Sequence, residues 1–175
     1  LSRTTCIFPK TGHLVIVHDT DLTRTTNGSG NAENYTLAEL KALNANKPMP
    51  AGYPDVKIPT LEEQIDLAKV HGRMIMAEIK TSTPNAVGTY VRVIREQDAE
   101  ALIDTMSFHA SQLKLMAQLM PEMPLGLLVS AGTVKQADTQ KSLRDALMLV
   151  QPLNATFNTG YDRELNKNFL EAAKH

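Results

Sequence analysis

The chain has 175 residues, 42% of them hydrophobic and 21% charged, a composition typical of one soluble globular domain. A net charge of −1 excludes the basic face that nucleic-acid binding requires, and 5% aromatic residues without tryptophan argue against base-stacking platforms. The single cysteine, Cys6, excludes an intrachain disulfide, and no apolar run reaches the ~18 residues of a membrane span. We therefore expect a domain that binds a small molecule.

The first predicted element is a short apolar run, residues 13–17, which indicates a buried parallel strand. His18 and Asp19 follow it directly and open a loop, up to Gly28, that is rich in Asp, Thr, Asn and Gly. Loops at the carboxyl ends of strands carry the active sites of α/β folds, and a histidine there exchanges protons near neutral pH. The alternative is a histidine held by local hydrogen bonds. An enzyme is the leading interpretation.

Two capping boxes come next in the chain, at residues 36–39 (TLAE) and 60–63 (TLEE). Each predicts the start of a helix, because the Thr side chain and the Glu side chain satisfy each other's backbone N–H groups. The second helix is expected to run through the apolar positions 61, 65, 67 and 68 and to stop at Gly72. The proline-rich segment 44–59 between the two boxes is predicted to be a surface excursion.

Strand and helix patterns then alternate to the end of the chain. Residues 74–80 predict a strand, and Thr83-Pro84 predicts a cap and first-turn proline for a helix over residues 85–97. Further strands are expected near residues 102–107, 125–129 and 153–157, and further helices over residues 111–119, about 138–149 and 164–173. Such alternation predicts a parallel sheet with crossover helices.

Glu78 and Lys80 form the second candidate site. In a strand they point to the same side, and a carboxylate and an ammonium at the end of an apolar strand are costly to bury unless paired or coordinated. One interpretation is a same-face salt bridge. The other is a carboxylate on a divalent metal beside a lysine that binds an anionic substrate group.

Other candidates are weaker. His13 and His71 are expected to face solvent. Ser107-Phe108-His109 ends a predicted strand, where these residues could line the same crevice as His18 at the carboxyl ends of the strands. The methionines on strands and helices, among them Met74 and Met148, are expected to fill the core. The sequence contains no glycine-rich phosphate loop, no Cys/His zinc spacing and no serine nucleophile elbow.

Four motifs together resemble the glycerophosphodiester phosphodiesterase family. They are His18-Asp19 with residues 22–28 (LTRTTNG), residues 36–40 (TLAEL), residues 58–63 (IPTLEE) and residues 77–80 (AEIK), and their order and spacing are specific. The resemblance implies a TIM (β/α)8 barrel that hydrolyses glycerophosphodiesters, as small-molecule substrates, to glycerol 3-phosphate and an alcohol. It also implies a divalent metal, Ca²⁺ or Mg²⁺.

The resemblance also assigns roles to residues. His18 matches a catalytic histidine that protonates the departing alkoxide, and Glu78 matches a metal-binding carboxylate. Lys80 matches the cation near the phosphate, and Phe108 is expected to contact substrate. These roles are chemically coherent, because a phosphodiester anion needs positive charge and a poor leaving group needs a proton.

The chain departs from the family pattern at both ends. The family's first catalytic histidine is absent, and its Glu-x-Asp metal pair falls on Arg3 and Thr5 if Lys10-Thr11-Gly12 aligns without gaps, or upstream of Leu1 otherwise. The sequence also stops before the family's last strand. Because a TIM barrel typically needs ~250 residues, we expect residues 1–175 to be a partial domain, a barrel incomplete at both ends.

Two other functions stay open. One is a related phospholipase D-like enzyme that acts on lipid phosphodiesters. The other is a non-catalytic fragment that binds a ligand or a partner, since one catalytic histidine and one metal carboxylate remain. Membrane association is expected only through a region outside this chain, and the expected location is the cytoplasm or the membrane of a bacterium.

Overall fold

The computed structural model of the protein describes residues 2–129, 145, 148, 151–153 and 155–159. The chain divides into two compact units, Leu1–Asp104 and Thr105–His175. Within the described residues, none of the helices is both long and apolar enough to cross a bilayer.

Three strands form the sheet of the first unit. β1 (Ser2–Ile7) pairs in parallel with β3 (Ile75–Ile79) and antiparallel with the short β2 (Val15–Ile16). The prediction of a parallel strand over residues 13–17 was therefore wrong in direction. The reason is a tight reversal after β1, in which Gly12 N donates to Pro9 O at 3.2 Å and Gly12 takes a φ of 74° that favours glycine. A chain that turns back directly pairs antiparallel with the strand it has left.

The three helices of this unit start where their sequence signals lie. Both capping boxes are present, at Thr36 before α1 (Leu37–Ala42) and at Thr60 before α2 (Leu61–Val70). Gly72, with a φ of 57°, follows the end of α2 as predicted. α3 (Pro84–Glu96) begins with the expected proline, but Thr83 makes no side-chain cap hydrogen bond. Its hydroxyl instead accepts from the Thr81 hydroxyl at 3.0 Å.

A compact apolar cluster supports the loop that follows β2. Its buried members are Ile7, Val15, Val17, Leu22, Ala32, Leu40 and Ile58. Partly buried side chains from residues 35–45 pack against this cluster. The cluster thus holds together β1, β2, the loop and α1.

The predicted apolar face of α2 is correct at Ile65 and Ala68 but not at Leu67, which is 55% exposed.

The second unit has the same alternation of strands and a helix. β4 (Ile103–Ser107), which enters this unit at Thr105, is followed by α4 (Ala110–Leu119) and β5 (Leu125–Val129). β5 pairs in parallel with β4 and with β6 (Thr156–Thr159). The last strand begins later than predicted because residues 151–153 form a 3-10 turn around Pro152, which has no N–H to donate to a ladder. The helices predicted near 138–149 and 164–173 fall mainly outside the described residues.

The methionines divide between core and surface. Met106, Met116 and Met120 are buried, as expected for core filling. Met74 and Met148 are 43% and 65% exposed, so the same prediction was wrong for them. Met74 lies just before β3 and not within it, which explains its exposure.

The predicted surface excursion, residues 44–59, contains neither helix nor strand. The prediction was wrong at Ile58, which is 2% exposed and belongs to the apolar cluster. The base of the excursion is tied to the loop after β2, since Asn27 N donates to Asn44 O at 3.0 Å and Asn44 N donates to Asn27 Oδ1 at 2.8 Å. The Lys47 ammonium also donates to the Thr23 carbonyl. Its outer part, which includes Met49 and Tyr53, is exposed.

Candidate active site

The loop after β2 is built from short-range hydrogen bonds around one buried anchor. Leu22 is fully buried and begins a 3-10 helix, Leu22–Arg24, that is capped by the Asp21 carboxylate accepting from Thr23 N at 2.8 Å. The Leu22 carbonyl accepts from the backbone N–H of Thr26 at 3.0 Å and from its hydroxyl at 2.9 Å. The loop therefore has a defined conformation and is fixed to the core at Leu22.

A chain of three polar side chains lies on this loop. His18 Nδ1 lies 2.7 Å from Asp19 Oδ1, and Arg24 Nε donates to Asp19 Oδ2 at 2.5 Å. His18 and Arg24 are each 61% exposed, whereas Asp19 between them is 28% exposed. The hydrogen bond from Arg24, and then the one from His18, lower the pKa of Asp19 to about 2. Asp19 is therefore an anion at neutral pH and can only accept hydrogen bonds.

The contact with Asp19 favours one tautomer of a neutral His18 ring. Because the Asp19 carboxylate only accepts hydrogen bonds, a ring with hydrogen on Nδ1 satisfies the contact and leaves Nε2 without hydrogen. His18 is also the more exposed partner, so a ligand in solvent can reach its ring. The geometry is that of a histidine oriented for general acid–base chemistry.

Lys80 links the end of β3 to the same loop. Its ammonium donates to the His18 carbonyl at 2.8 Å, and its backbone N–H donates to Cys6 O at 3.3 Å. The structure thus brings together two residues that the sequence placed 62 positions apart. Lys80 adds positive charge beside His18, as a site for a phosphate group requires.

Glu78 lies in the interior beside β1. It is 2% exposed, and its register partner is Thr5, whose hydroxyl donates to Glu78 Oε2 at 3.4 Å. That distance is long for an O–H···O hydrogen bond, so the contact is weak. Burial, followed by the charges of Glu78 and Glu62, raises the pKa of the neighbouring Cys6 thiol to about 12. Glu78 therefore brings negative charge to the end of the β1–β3 pair.

The pairing of β1 bears on the missing metal ligands. Thr5 opposes Glu78, and Arg3 opposes Met76 two residues earlier. Arg3 and Thr5, onto which the ungapped alignment would place the family's two carboxylates, thus lie on β1 beside β3. In the part of the chain that the structure describes, no three His, Cys, Asp or Glu side chains cluster as a metal site would require. These residues alone do not fit a complete divalent cation site.

The structure also describes the other candidate residues. His13 and His71 are exposed, as predicted. Phe108 follows β4 in the second unit and is 48% exposed, and its contact with substrate stays a prediction. His109 begins α4, where its backbone N–H donates to Ser107 Oγ at 3.0 Å.

Sequence reasoning did not single out Arg24 or the pairing of Thr5 with Glu78. Arg24 lies five positions beyond Asp19 in a non-helical loop, where no periodicity indicates a contact. The signal that could have found it is a basic residue in the same polar loop as a histidine–carboxylate dipeptide. The Thr5 pairing depends on strand register between residues 73 positions apart.

Comparison with known proteins gives a consistent result. The profile of the "Glycerophosphoryl diester phosphodiesterase family" matches residues 9–160. A glycerophosphodiester phosphodiesterase of Caldanaerobacter subterraneus is 32% identical over 129 residues, which are 72% of this chain and 53% of that protein. One from Bacillus altitudinis is 35% identical over 123 residues, 68% of this chain and 50% of that protein. The chain thus spans about half the length of these curated relatives.

Solved structures are similar over nearly the whole chain. A protein from Agrobacterium tumefaciens, assigned as a glycerophosphoryl diester phosphodiesterase, has a TM-score of 0.79 at 17% identity over 97% of this chain and 68% of its own. A phosphodiesterase from Oleispira antarctica, solved with the product sn-glycerol-3-phosphate, has a TM-score of 0.70 at 25% identity over 97% of this chain and 76% of its own. The fold is therefore the α/β barrel of these phosphodiesterases, as the resemblance implied.

Proposed function

The chain belongs to the glycerophosphoryl diester phosphodiesterase family, and we propose that the protein hydrolyses glycerophosphodiesters to sn-glycerol 3-phosphate and an alcohol. The observation that carries this proposal is the oriented His18, held by Asp19 on one side and reached by Lys80 through its backbone carbonyl. The product complex of the Oleispira antarctica relative supports the same class of small-molecule substrate.

In this proposal His18 is the general acid. The departing alkoxide is a poor leaving group, and protonated His18 supplies it with a proton from Nε2 while Nδ1 keeps its hydrogen bond to Asp19. Lys80 supplies positive charge for the non-bridging phosphate oxygens. Phe108 is proposed to contact the substrate from the loop after β4.

We further propose that the whole protein depends on a divalent cation, Ca²⁺ or Mg²⁺, which would stabilise the charge of the phosphate. Glu78 is the carboxylate that we assign to it, because it is a buried acid two residues before Lys80. Among the described residues no three His, Cys, Asp or Glu side chains cluster around Glu78, so we propose that further ligands complete the site.

The direct test uses the full natural protein and glycerophosphocholine. Release of glycerol 3-phosphate is measured by a coupled enzymatic assay, with and without a chelator. We expect hydrolysis that the chelator abolishes and that Ca²⁺ or Mg²⁺ restores. A second arm offers sphingomyelin and lysophosphatidylcholine, and faster turnover of these lipids would replace our substrate class by a phospholipase D-like one.

A matched pair of histidine variants tests the role of His18. General acid–base catalysis contributes about 10²–10⁴-fold, so His18→Ala should lower kcat by at least about a hundredfold. His13→Ala removes an exposed histidine outside the proposed site and should leave kcat unchanged. Wild-type turnover by His18→Ala would refute the assignment.

The second candidate function is ligand binding without hydrolysis. It is favoured by one observation: the register partner of Glu78 is Thr5, which is not a carboxylate, and no three metal-ligating side chains cluster among the described residues. Under this alternative the full protein binds glycerol 3-phosphate in calorimetry but releases none from any phosphodiester. Measured turnover would exclude it.

A further inference from the structure

We propose that Asp19 and Arg24 are a positioning pair that fixes the tautomer and the orientation of His18. This inference rests on the proposed function, because it assigns how the general acid of that reaction is prepared. Neither residue touches the reacting atoms in the proposed mechanism. Each acts through the His18 ring, Asp19 directly and Arg24 through Asp19.

The two oxygens of the Asp19 carboxylate have different hydrogen-bond partners. Oδ1 faces His18 Nδ1 at 2.7 Å, and Oδ2 accepts from Arg24 Nε at 2.5 Å. A guanidinium is always a donor, so Arg24 holds one oxygen and thereby fixes the rotation of the carboxylate. The other oxygen then lies where it can only accept a hydrogen bond from His18.

The backbone of Arg24 is held in place by its neighbours in the loop. It ends the 3-10 helix that starts at the buried Leu22, and the preceding residue, Thr23, is tied through its carbonyl to the Lys47 ammonium. Arg24 is 61% exposed, but its backbone belongs to a segment fixed at the core. The backbone that carries the Arg24 guanidinium is therefore fixed while the guanidinium itself contacts Asp19.

The neighbouring acid, Asp21, has a different hydrogen-bond partner from Asp19. Asp21 lies two residues from Asp19 in the same loop, but its carboxylate caps the helix by accepting from Thr23 N at 2.8 Å. It makes no hydrogen bond to His18 among those of the described loop residues. Asp21→Asn, which keeps the capping oxygen, is thus the matched control for Asp19→Asn.

The decisive experiment reads the tautomer of His18 by nitrogen-15 NMR in the full natural protein. Wild type should show hydrogen on Nδ1 in the neutral ring. In Asp19→Asn, Arg24 still requires an acceptor, so the amide turns its oxygen to Arg24 and its NH₂ group to His18. Nδ1 must then accept, and the hydrogen moves to Nε2.

Removal of Arg24 from that variant should reverse the change. In the double variant Asp19→Asn/Arg24→Met, the amide is released to turn its oxygen toward His18, and the Nδ1–H form should return. Asp21→Asn should keep the wild-type tautomer. A wild-type ring with hydrogen on Nε2, or an identical tautomer in Asp19→Asn with and without Arg24→Met, would overturn the proposal.

Kinetics of glycerophosphocholine hydrolysis supply the second readout. The acid is the protonated ring, which must keep a hydrogen on Nδ1 when it gives up its Nε2 proton. In Asp19→Asn the amide NH₂ group opposes that hydrogen, so the substitution should lower kcat by at least about tenfold and change KM by less than about twofold. Arg24→Gln should lower kcat less, and Arg24→Lys should restore part of the loss. A rise in KM at constant kcat for Arg24→Gln would contradict us, because it would make Arg24 a substrate contact.

The proposed function and the positioning pair can be refuted separately. If wild type hydrolyses no glycerophosphodiester, the proposed function is wrong, and the tautomer measurements still decide whether Asp19 and Arg24 position His18. If hydrolysis depends on His18 but the tautomer is insensitive to Asp19 and Arg24, the function stands and the positioning pair is refuted.

Discussion

Leu22→Ala tests whether the loop after β2 depends on its buried anchor. Leu22 is 0% exposed and belongs to the apolar cluster that includes Ile7 and Val17. Truncation removes three carbon groups at about 0.8 kcal/mol each, or about 2.4 kcal/mol of transfer free energy. The cavity left behind adds to this, so we expect a loss of about 3 kcal/mol in the free energy of unfolding.

The measurement is urea unfolding of the full natural protein, followed by circular dichroism at neutral pH. Leu67→Ala is the surface control, because Leu67 is 55% exposed on α2 and should cost less than about 0.5 kcal/mol. A Leu22→Ala protein within about 1 kcal/mol of wild type would refute the view that the cluster anchors the loop.

A second comparison separates stability from function. Ile65 is as fully buried as Leu22 but lies on α2, outside the apolar cluster that contains Leu22. Ile65→Ala should cost a similar free energy and leave kcat/KM of the folded protein unchanged, whereas Leu22→Ala should lower kcat/KM because the loop carries His18. Equal kinetic effects of the two substitutions would contradict this reasoning.

Three further predictions concern charge and reactivity. Cys6 is buried with its pKa raised to about 12, so its thiol should resist a disulfide reagent at pH 8 in the native protein and react in urea. The pKa of Glu63 is lowered by the hydrogen bond from Lys41 and then by that from Thr60 N, so the carboxylate stabilises the fold above pH 4.5. The stability difference between wild type and Glu63→Gln should therefore be full above that pH and vanish as pH falls through the lowered pKa in acid denaturation. Lys80→Met removes the hydrogen bond to the His18 carbonyl and the adjacent charge, and should lower kcat/KM in the hydrolysis assay more than Lys80→Arg.

Each of these has an outcome that would count against it. Native labelling of Cys6 at the rate seen in urea would contradict its burial. A pH-independent difference for Glu63→Gln would show that its carboxylate is not specifically stabilised in the fold. Equal activities of Lys80→Met and Lys80→Arg would remove the charge of Lys80 from the proposed mechanism.

Local signals predicted local structure well. The two helices with capping boxes begin where Thr36 and Thr60 indicated, because a cap depends on residues only three positions apart. The strand that ends at Val129 was also predicted with its observed bounds. The strand over residues 13–17 was predicted with the wrong direction, although a proline and a glycine three residues apart, Pro9 and Gly12, preceded it. A tight turn between two apolar runs is the signal for a hairpin, and it outweighs the general alternation pattern.

The candidate site was predicted only in part, for a physical reason. His18, Glu78 and Lys80 were found because each lies at the end of an apolar run. The contact of Lys80 with the His18 carbonyl and the pairing of Thr5 with Glu78 join distant parts of the chain. Such contacts follow from strand register, which a single sequence does not encode locally.

The excursion over residues 44–59 has a consequence for how the chain tolerates changes in its length. Its base is tied to the loop of His18 through Asn27 and Asn44, while the outer part with Met49 and Tyr53 is exposed. A longer or shorter loop costs little free energy once its ends are held in place. The outer part can therefore change in length while Asn44 keeps its hydrogen bonds to Asn27. A change in length between Asn46 and Tyr53 should therefore leave the loop of His18 and the free energy of unfolding nearly unchanged.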